Sequence, residues 1–179
     1  IFTALELIRR GSGGRILIAE KGRPLEERHC PKNKTRRCVN CRPYCHITTG
    51  FSGAGAFSDG KLSLSPEVGG DLPTLIGHDR TQEMIEYVDG IYLEFGADEH
   101  VEGMLMSPEA KAIRKSAIQA GLKLVDCPIR HLGTEKARDI YQAIENFLLD
   151  KGVEILFGFE VGDLLIEDGA CVGFVGQMN

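Results

Sequence analysis

Residues 15–20 read RILIAE, a short apolar run that ends in a carboxylate. Residues 1–10 carry apolar side chains on one helical face and end in Arg9 and Arg10, and a glycine-rich turn begins at Gly11. Basic residues in the last turn and a glycine after it are typical of the end of a helix. The order of helix, turn and apolar run predicts an α/β unit in which residues 15–20 form a strand buried on both faces of a parallel sheet.

The rest of the chain continues to alternate between helical and extended patterns. The periodicity predicts helices over residues 81–95, 107–121 and 134–152, and strands over residues 122–127, 153–159 and 164–175. Ser107 followed by Pro108 is a strong helix start, and residues 167–169, Glu-Asp-Gly, are typical of a hairpin turn. This order predicts an α/β sheet with an inserted region.

Composition and charge restrict the class of protein. The 179 residues are 42% hydrophobic and 26% charged, as in an ordinary globular chain. The net charge of −5 argues against a nucleic-acid partner. No apolar run reaches the ~20 residues of a membrane span, and no signal segment precedes the first helix. We expect a cytoplasmic protein without a membrane partner. Because residue 1 is Ile and residues 174–179 directly follow an apolar run, we also expect a piece of a longer protein.

Glu20 stands at the end of the first predicted strand. In dinucleotide-binding βαβ units, an acid at this position accepts hydrogen bonds from the adenosine ribose, and the phosphates lie at the N-terminus of the preceding helix. This acid follows a G-x-G-x-x-G loop by about 20 residues, which would place the end of that loop just before Ile1. The alternative is that Glu20 is an ordinary solvated strand end.

A second candidate is the small-residue stretch GFSGAGAFSDGKL at residues 50–62. Successive N–H groups in a glycine-rich turn form a nest for anionic oxygens, and the missing Cβ atoms permit close approach. Ser58 could donate its hydroxyl to a phosphate, whereas Asp59 would repel one and is predicted to pair with Lys61 or to cap a turn. The alternative is a generic glycine-rich loop.

Three stretches together carry a family resemblance: ILIAEKGRP, CVNCRPYCHITTGFSGAGAFSDGKL and IRHLGTEKARDIYQAIENFLLDKGVEILFGFEV. They resemble the uncharacterised FAD-dependent dehydrogenases, which belong to the glutathione-reductase-like flavoproteins. The resemblance covers nearly the whole chain and is most specific in GAGAFSDGKL. It implies a partial FAD/NAD(P)-binding, Rossmann-like, three-layer α/β fold over residues 1–179, with an inserted irregular and helical segment at about residues 23–120.

The same resemblance implies FAD as the cofactor and a flavin-dependent oxidoreductase activity, with hydride transfer through the flavin N5. The small-molecule substrate or electron donor is unknown, and no residue is implied to be catalytic. The implied cofactor-binding residues are the ribose acid Glu20 with its neighbour Lys21, the second-loop residues Gly53, Gly55 and Ser58, and Val161 as a backbone contact to the adenine. The strand after residue 152 is expected to lie beside the strand that ends in Glu20.

Four cysteines lie close together, at Cys30, Cys38, Cys41 and Cys45. Thiolates at such spacing can share one Zn²⁺ or ligate an iron–sulfur cluster, and nearby arginines favour the thiolate form. A redox-active C-x-x-C pair and plain reduced cysteines are the other interpretations, so no metal ligand is assigned. If the cysteines hold a metal and the glycine loop is only a connector, the chain is instead a metal-stabilised binding module without flavin.

Overall fold

The computed structural model describes residues 1–104 and 106–179. The fold is mixed α/β, with six α-helices and three two-stranded sheets in this part of the chain. The helices are α1 (Phe2–Arg9), α2 (Lys32–Thr35), α3 (Leu72–Ile76), α4 (His78–Glu94), α5 (Pro108–Gln119) and α6 (Thr134–Asp150). The strands are β1 (Leu17–Glu20), β2 (Lys61–Ser63), β3 (Ile129–His131), β4 (Glu154–Phe157), β5 (Phe159–Glu167) and β6 (Ala170–Met178).

The chain divides into two compact units. The first consists of residues 1–58 and 138–179, and the second of residues 59–137. The insertion predicted at about residues 23–120 overlaps the second unit, whereas residues 23–58 pack within the first. None of the helices in the described ranges combines the length and the apolar character that crossing a membrane requires.

In the first unit, β1 and β4 pair in parallel, with Leu17 opposite Glu154 and Glu20 opposite Phe157. This confirms the prediction that the strand after residue 152 lies beside the strand that ends in Glu20. The prediction that β1 is buried on both faces is wrong, because Leu17 is 50% exposed. The reason is that β4 is the single strand paired with β1 in the described part of the chain.

Helix α6 shows how the apolar pattern positions an element. Its buried residues are spaced by three or four positions along the helix and are at most 2% exposed: Ala137, Ile140, Ile144 and Leu148. Strands β5 and β6 form the predicted antiparallel hairpin. Asp168 and Gly169 both have positive φ, of 50° and 77°, as a tight two-residue hairpin turn requires.

The second unit contains α3, α4 and α5 together with the antiparallel pair β2–β3. The helices predicted at 81–95 and 107–121 are present, and the Ser107 hydroxyl accepts the Ala110 N–H as the predicted cap. The strand predicted over residues 122–127 is wrong: that segment is irregular, and β3 begins only at Ile129. The physical reason is that β2, the strand paired with this region, is three residues long and its register ends at Ser63 opposite Ile129.

Candidate functional site

A cavity of about 400 Å³ lies within the first unit, where the start of α1, the end of β1 and the glycine-rich loop meet. Helix α1 contributes Phe2 and the residue before it, and β1 contributes Ile18 and Glu20. The remaining lining residues come from the loop and from α6: Thr48, Gly50, Phe51, Ser52, Gly53 and Tyr141. The predicted ribose acid Glu20 and one residue of the predicted second loop, Gly53, therefore line one cavity.

The glycine loop reaches the end of β1 through a backbone contact between Gly22 and Gly50. A Cβ on Gly22 would lie 2.4 Å from the Gly50 nitrogen. Beside this contact, Arg23 and Gly50 form a parallel bridge, and Phe51 N–H donates to the Arg23 carbonyl at 3.2 Å. The two backbone segments can touch because neither Gly22 nor Gly50 has a side chain, and this contact fixes the loop next to Glu20.

A buried arginine fixes the glycine-rich loop through hydrogen bonds to backbone carbonyls. Arg28 is 1% exposed, and its guanidinium donates to the carbonyls of His46 at 3.0 Å, Gly53 at 2.8 Å and Phe51. It also lies over the Phe57 ring, 4.7 Å from the centroid. Burial lowers the pKa of the Arg28 guanidinium, and the charge of Glu20 partly offsets this effect. Its intrinsic pKa is so high that we expect it to remain charged.

The sequence pattern does not predict the role of Arg28 in fixing the loop. It lies in a stretch that contains many other basic residues, and its three acceptors are 18 to 25 positions away along the chain. No local signal separates a buried arginine from an exposed one in such a stretch.

The other predicted residues have different environments. The Glu20 carboxylate accepts the Gly22 N–H at 2.7 Å, which turns the chain directly after β1. Gly53 has a φ of +57°, and a Cβ built there would meet no atom closer than Thr48 O at 4.0 Å. A Cβ on Gly55 would lie 2.7 Å from the Tyr141 hydroxyl oxygen, so this glycine packs against a side chain that lines the cavity.

Four predicted residues do not line this cavity in the described chain: Lys21, Gly55, Ser58 and Val161. Lys21 forms an ion pair with Glu160, the Ser58 hydroxyl donates to the Gly55 carbonyl at 3.1 Å, and Val161 lies in β5 opposite Gly176. The predicted pairing of Asp59 with Lys61 is confirmed, at 2.7 Å between Oδ2 and Nζ.

The four clustered cysteines line a second cavity in the first unit, with a volume of about 310 Å³. Lys32, Arg42 and His46 also line it. Cys30, Cys38, Cys41 and Cys45 are free thiols, as are the two distant cysteines, Cys127 and Cys171. Within residues 1–104 and 106–179, no three His, Cys, Asp or Glu side chains form a group that could hold a metal ion.

Cys45 has the most distinctive environment of these thiols. Hydrogen bonds from the Ile47 amide and then from the Thr48 side chain lower the pKa of Cys45, and the nearby charge of Arg28 acts in the same direction. The thiolate form of Cys45 is therefore favoured, which is the form that binds metals and attacks electrophiles.

No model of a known protein family matches the chain, and no curated protein matches it significantly. We therefore infer the function from the residues of the two cavities.

Proposed function

We propose that the chain is the FAD-binding part of a flavin-dependent oxidoreductase, with a fold of the FAD/NAD(P)-binding Rossmann-like type. The observation that carries this proposal is the cavity that Glu20 shares with the start of α1 and with the glycine-rich loop. Its volume of about 400 Å³ lies within the range of small-molecule sites. The parallel pairing of β1 with β4 also supports the proposal, since such folds place a parallel neighbour beside the strand with the ribose acid.

The cavity offers suitable chemistry for the ADP half of FAD. The Glu20 carboxylate has two oxygens, and only its Oε1 accepts the Gly22 N–H, so the second oxygen can accept a ribose hydroxyl. The first N–H groups of α1 lie at the positive end of the helix dipole and suit a diphosphate. At Gly53, the open space around the Cα lets an anionic oxygen approach the backbone closely.

Arg28 supplies the positive charge that a diphosphate next to Glu20 needs. A diphosphate placed near Glu20 would meet a negative carboxylate, and the guanidinium behind the loop is the cation that offsets it. By holding the carbonyls of Phe51 and Gly53, Arg28 also turns the opposite ends of those planar peptides, the N–H groups of Ser52 and Ala54, away from itself. Arg28 therefore both orders the loop and favours an anion beside it.

FAD, when bound, supplies hydride transfer at the flavin N5. The residues of this chain bind and orient the nucleotide half of the cofactor and carry no assigned acid or base. Lys21, Gly55, Ser58 and Val161 keep their proposed roles as contacts of the cofactor outside the cavity that Glu20 lines.

The test is to purify the protein at its natural length, release any bound flavin by heat and identify it by mass spectrometry. We expect FAD, and we expect Glu20→Gln to weaken FAD binding about 10- to 100-fold, because a hydrogen bond to a charged group contributes about 1.5–3 kcal/mol. The matched control is Glu154→Gln on the neighbouring strand, where the side chain is largely exposed and faces Arg15.

Equal FAD affinities of wild type and Glu20→Gln would contradict the assignment of the ribose acid. Stoichiometric zinc without any flavin would contradict the proposed function as a whole and support the metal-stabilised module instead.

A further inference from the structure

The cysteine cavity lies outside the proposed nucleotide site, and its chemistry is unusual. All four of its cysteines come from one segment of the first unit, Cys30 to Cys45, which includes the short helix α2. The two remaining cysteines of the chain lie elsewhere and do not line it. Four thiols that surround one cavity are the ligand set of a tetrahedral zinc site or of an iron–sulfur cluster.

The four cysteines line an open volume of about 310 Å³. Within the described residues no three His, Cys, Asp or Glu side chains form a group that could hold a metal ion, so the thiols must draw together when a cluster binds.

The spacing of the cysteines distinguishes an iron–sulfur cluster from zinc. Structural zinc sites commonly use two separate C-x₂₋₄-C pairs. Here Cys38, Cys41 and Cys45 follow one another closely, with two and three residues between them, and Cys30 supplies a single more distant thiol. Three close cysteines and one remote cysteine are typical of iron–sulfur ligation.

The surroundings suit an anionic cluster. Residues 28–46 contain six Lys and Arg residues and no Asp or Glu. Lys32 and Arg42 line the cavity itself, and the Ile47 amide hydrogen-bonds the Cys45 sulfur. Cationic side chains and amide hydrogen bonds to the sulfurs are the means by which proteins stabilise the negative charge of thiolate-bound clusters.

We propose that Cys30, Cys38, Cys41 and Cys45 together bind an iron–sulfur cluster in this cavity. The proposal concerns a binding site separate from the flavin site and does not depend on it.

The experiment reconstitutes the protein, at its natural length and without oxygen, with ferrous iron and sulfide, and in parallel with Zn²⁺ alone. Iron, sulfide and zinc are then counted per chain, and the reduced sample is measured by electron paramagnetic resonance. Visible absorbance is not used, because a bound flavin absorbs in the same region. FAD is counted in the same samples, so a missing flavin and a missing cluster are seen independently.

We expect about two or four iron atoms, with equal sulfide, per chain. Cys38→Ser and Cys41→Ser should lose most of the bound iron, whereas the matched controls Cys127→Ser and Cys171→Ser should retain it. Circular dichroism of each variant shows whether the fold is kept. One zinc per chain with no iron retained, no metal at all, or iron that survives in folded Cys38→Ser and Cys41→Ser variants would overturn the proposal.

Discussion

Gly22 is the residue at which the chain leaving β1 touches the glycine loop, and we predict that it does not tolerate a side chain. A Cβ there would lie 2.4 Å from Gly50 N, 2.5 Å from Gly50 Cα and 2.6 Å from Thr49 C. Because favourable contacts between non-bonded carbon atoms are about 3.5–4.0 Å, Gly22→Ala must push the two backbones apart by about 1 Å. The φ of Gly22 lies outside the left-handed region, so the effect is one of space and not of backbone strain.

The cost of this substitution follows from the contacts that separate. Overpacking of this kind costs about 1–3 kcal/mol. The neighbouring hydrogen bond from Phe51 N–H to the Arg23 carbonyl, 3.2 Å long, would stretch beyond useful length and adds about 1 kcal/mol. We therefore expect Gly22→Ala to lower the free energy of unfolding by about 2–4 kcal/mol, a large part of the ~5–15 kcal/mol typical of folded domains.

Urea unfolding followed by circular dichroism measures this free energy. The matched control is Gly13→Ala, since a Cβ at Gly13 would meet nothing within 4 Å and its φ is also outside the left-handed region. The control should change the free energy of unfolding by no more than about 0.5 kcal/mol. If both alanine variants unfold at the same urea concentration as the wild type, the contact between Gly22 and Gly50 is not made. The glycine loop is then not held next to Glu20 as described.

Three further predictions concern buried charged groups. Arg28→Met should destabilise the protein by about 3 kcal/mol or more, because three buried or partly buried carbonyls lose their donor. Arg15→Met, at an exposed site, should have little effect in the same urea assay. Arg130 donates to Asp89 through Nε at 2.6 Å and Nη2 at 2.7 Å. Arg130→Ala should lower the free energy of unfolding by about 3–5 kcal/mol, because it leaves the Asp89 carboxylate uncompensated. An unfolding curve that matches wild type would contradict this. Burial raises the pKa of Glu145 above its ordinary value of 4.5, so the folded state binds its proton more tightly and wild-type stability should fall as the pH rises above that value. Glu145→Gln removes this loss, so its stability relative to wild type should increase between about pH 4 and pH 7 in urea titrations; a constant difference across that range would count against the raised pKa.

The structure also shows which parts of the fold can be predicted from the sequence. Helix α6 has a regular apolar spacing and α5 has a capping serine, and both signals are local, so both helices are predicted correctly. Residues 122–127 have an equally apolar pattern but pair with no strand in the part of the chain that the structure describes, which no local pattern reveals. Arg28 and Arg130 look like surface residues in the sequence, because the carbonyls and the carboxylate that hold them come from 18 to 41 positions away.

The glycines of the loop lack side chains for different structural reasons, so their number alone does not indicate a ligand. Gly50 lies against the Arg28 side chain and Gly55 against Tyr141, so packing within the chain explains the missing Cβ at both positions. Gly53 is different, because the space beside it is open, its φ is positive and it lines the cavity that contains Glu20. Among the glycines of the loop, the support for a nucleotide therefore comes from Gly53, which shares its cavity with the Glu20 carboxylate. Glycine-rich composition alone would be equally consistent with a loop that only packs against its own protein.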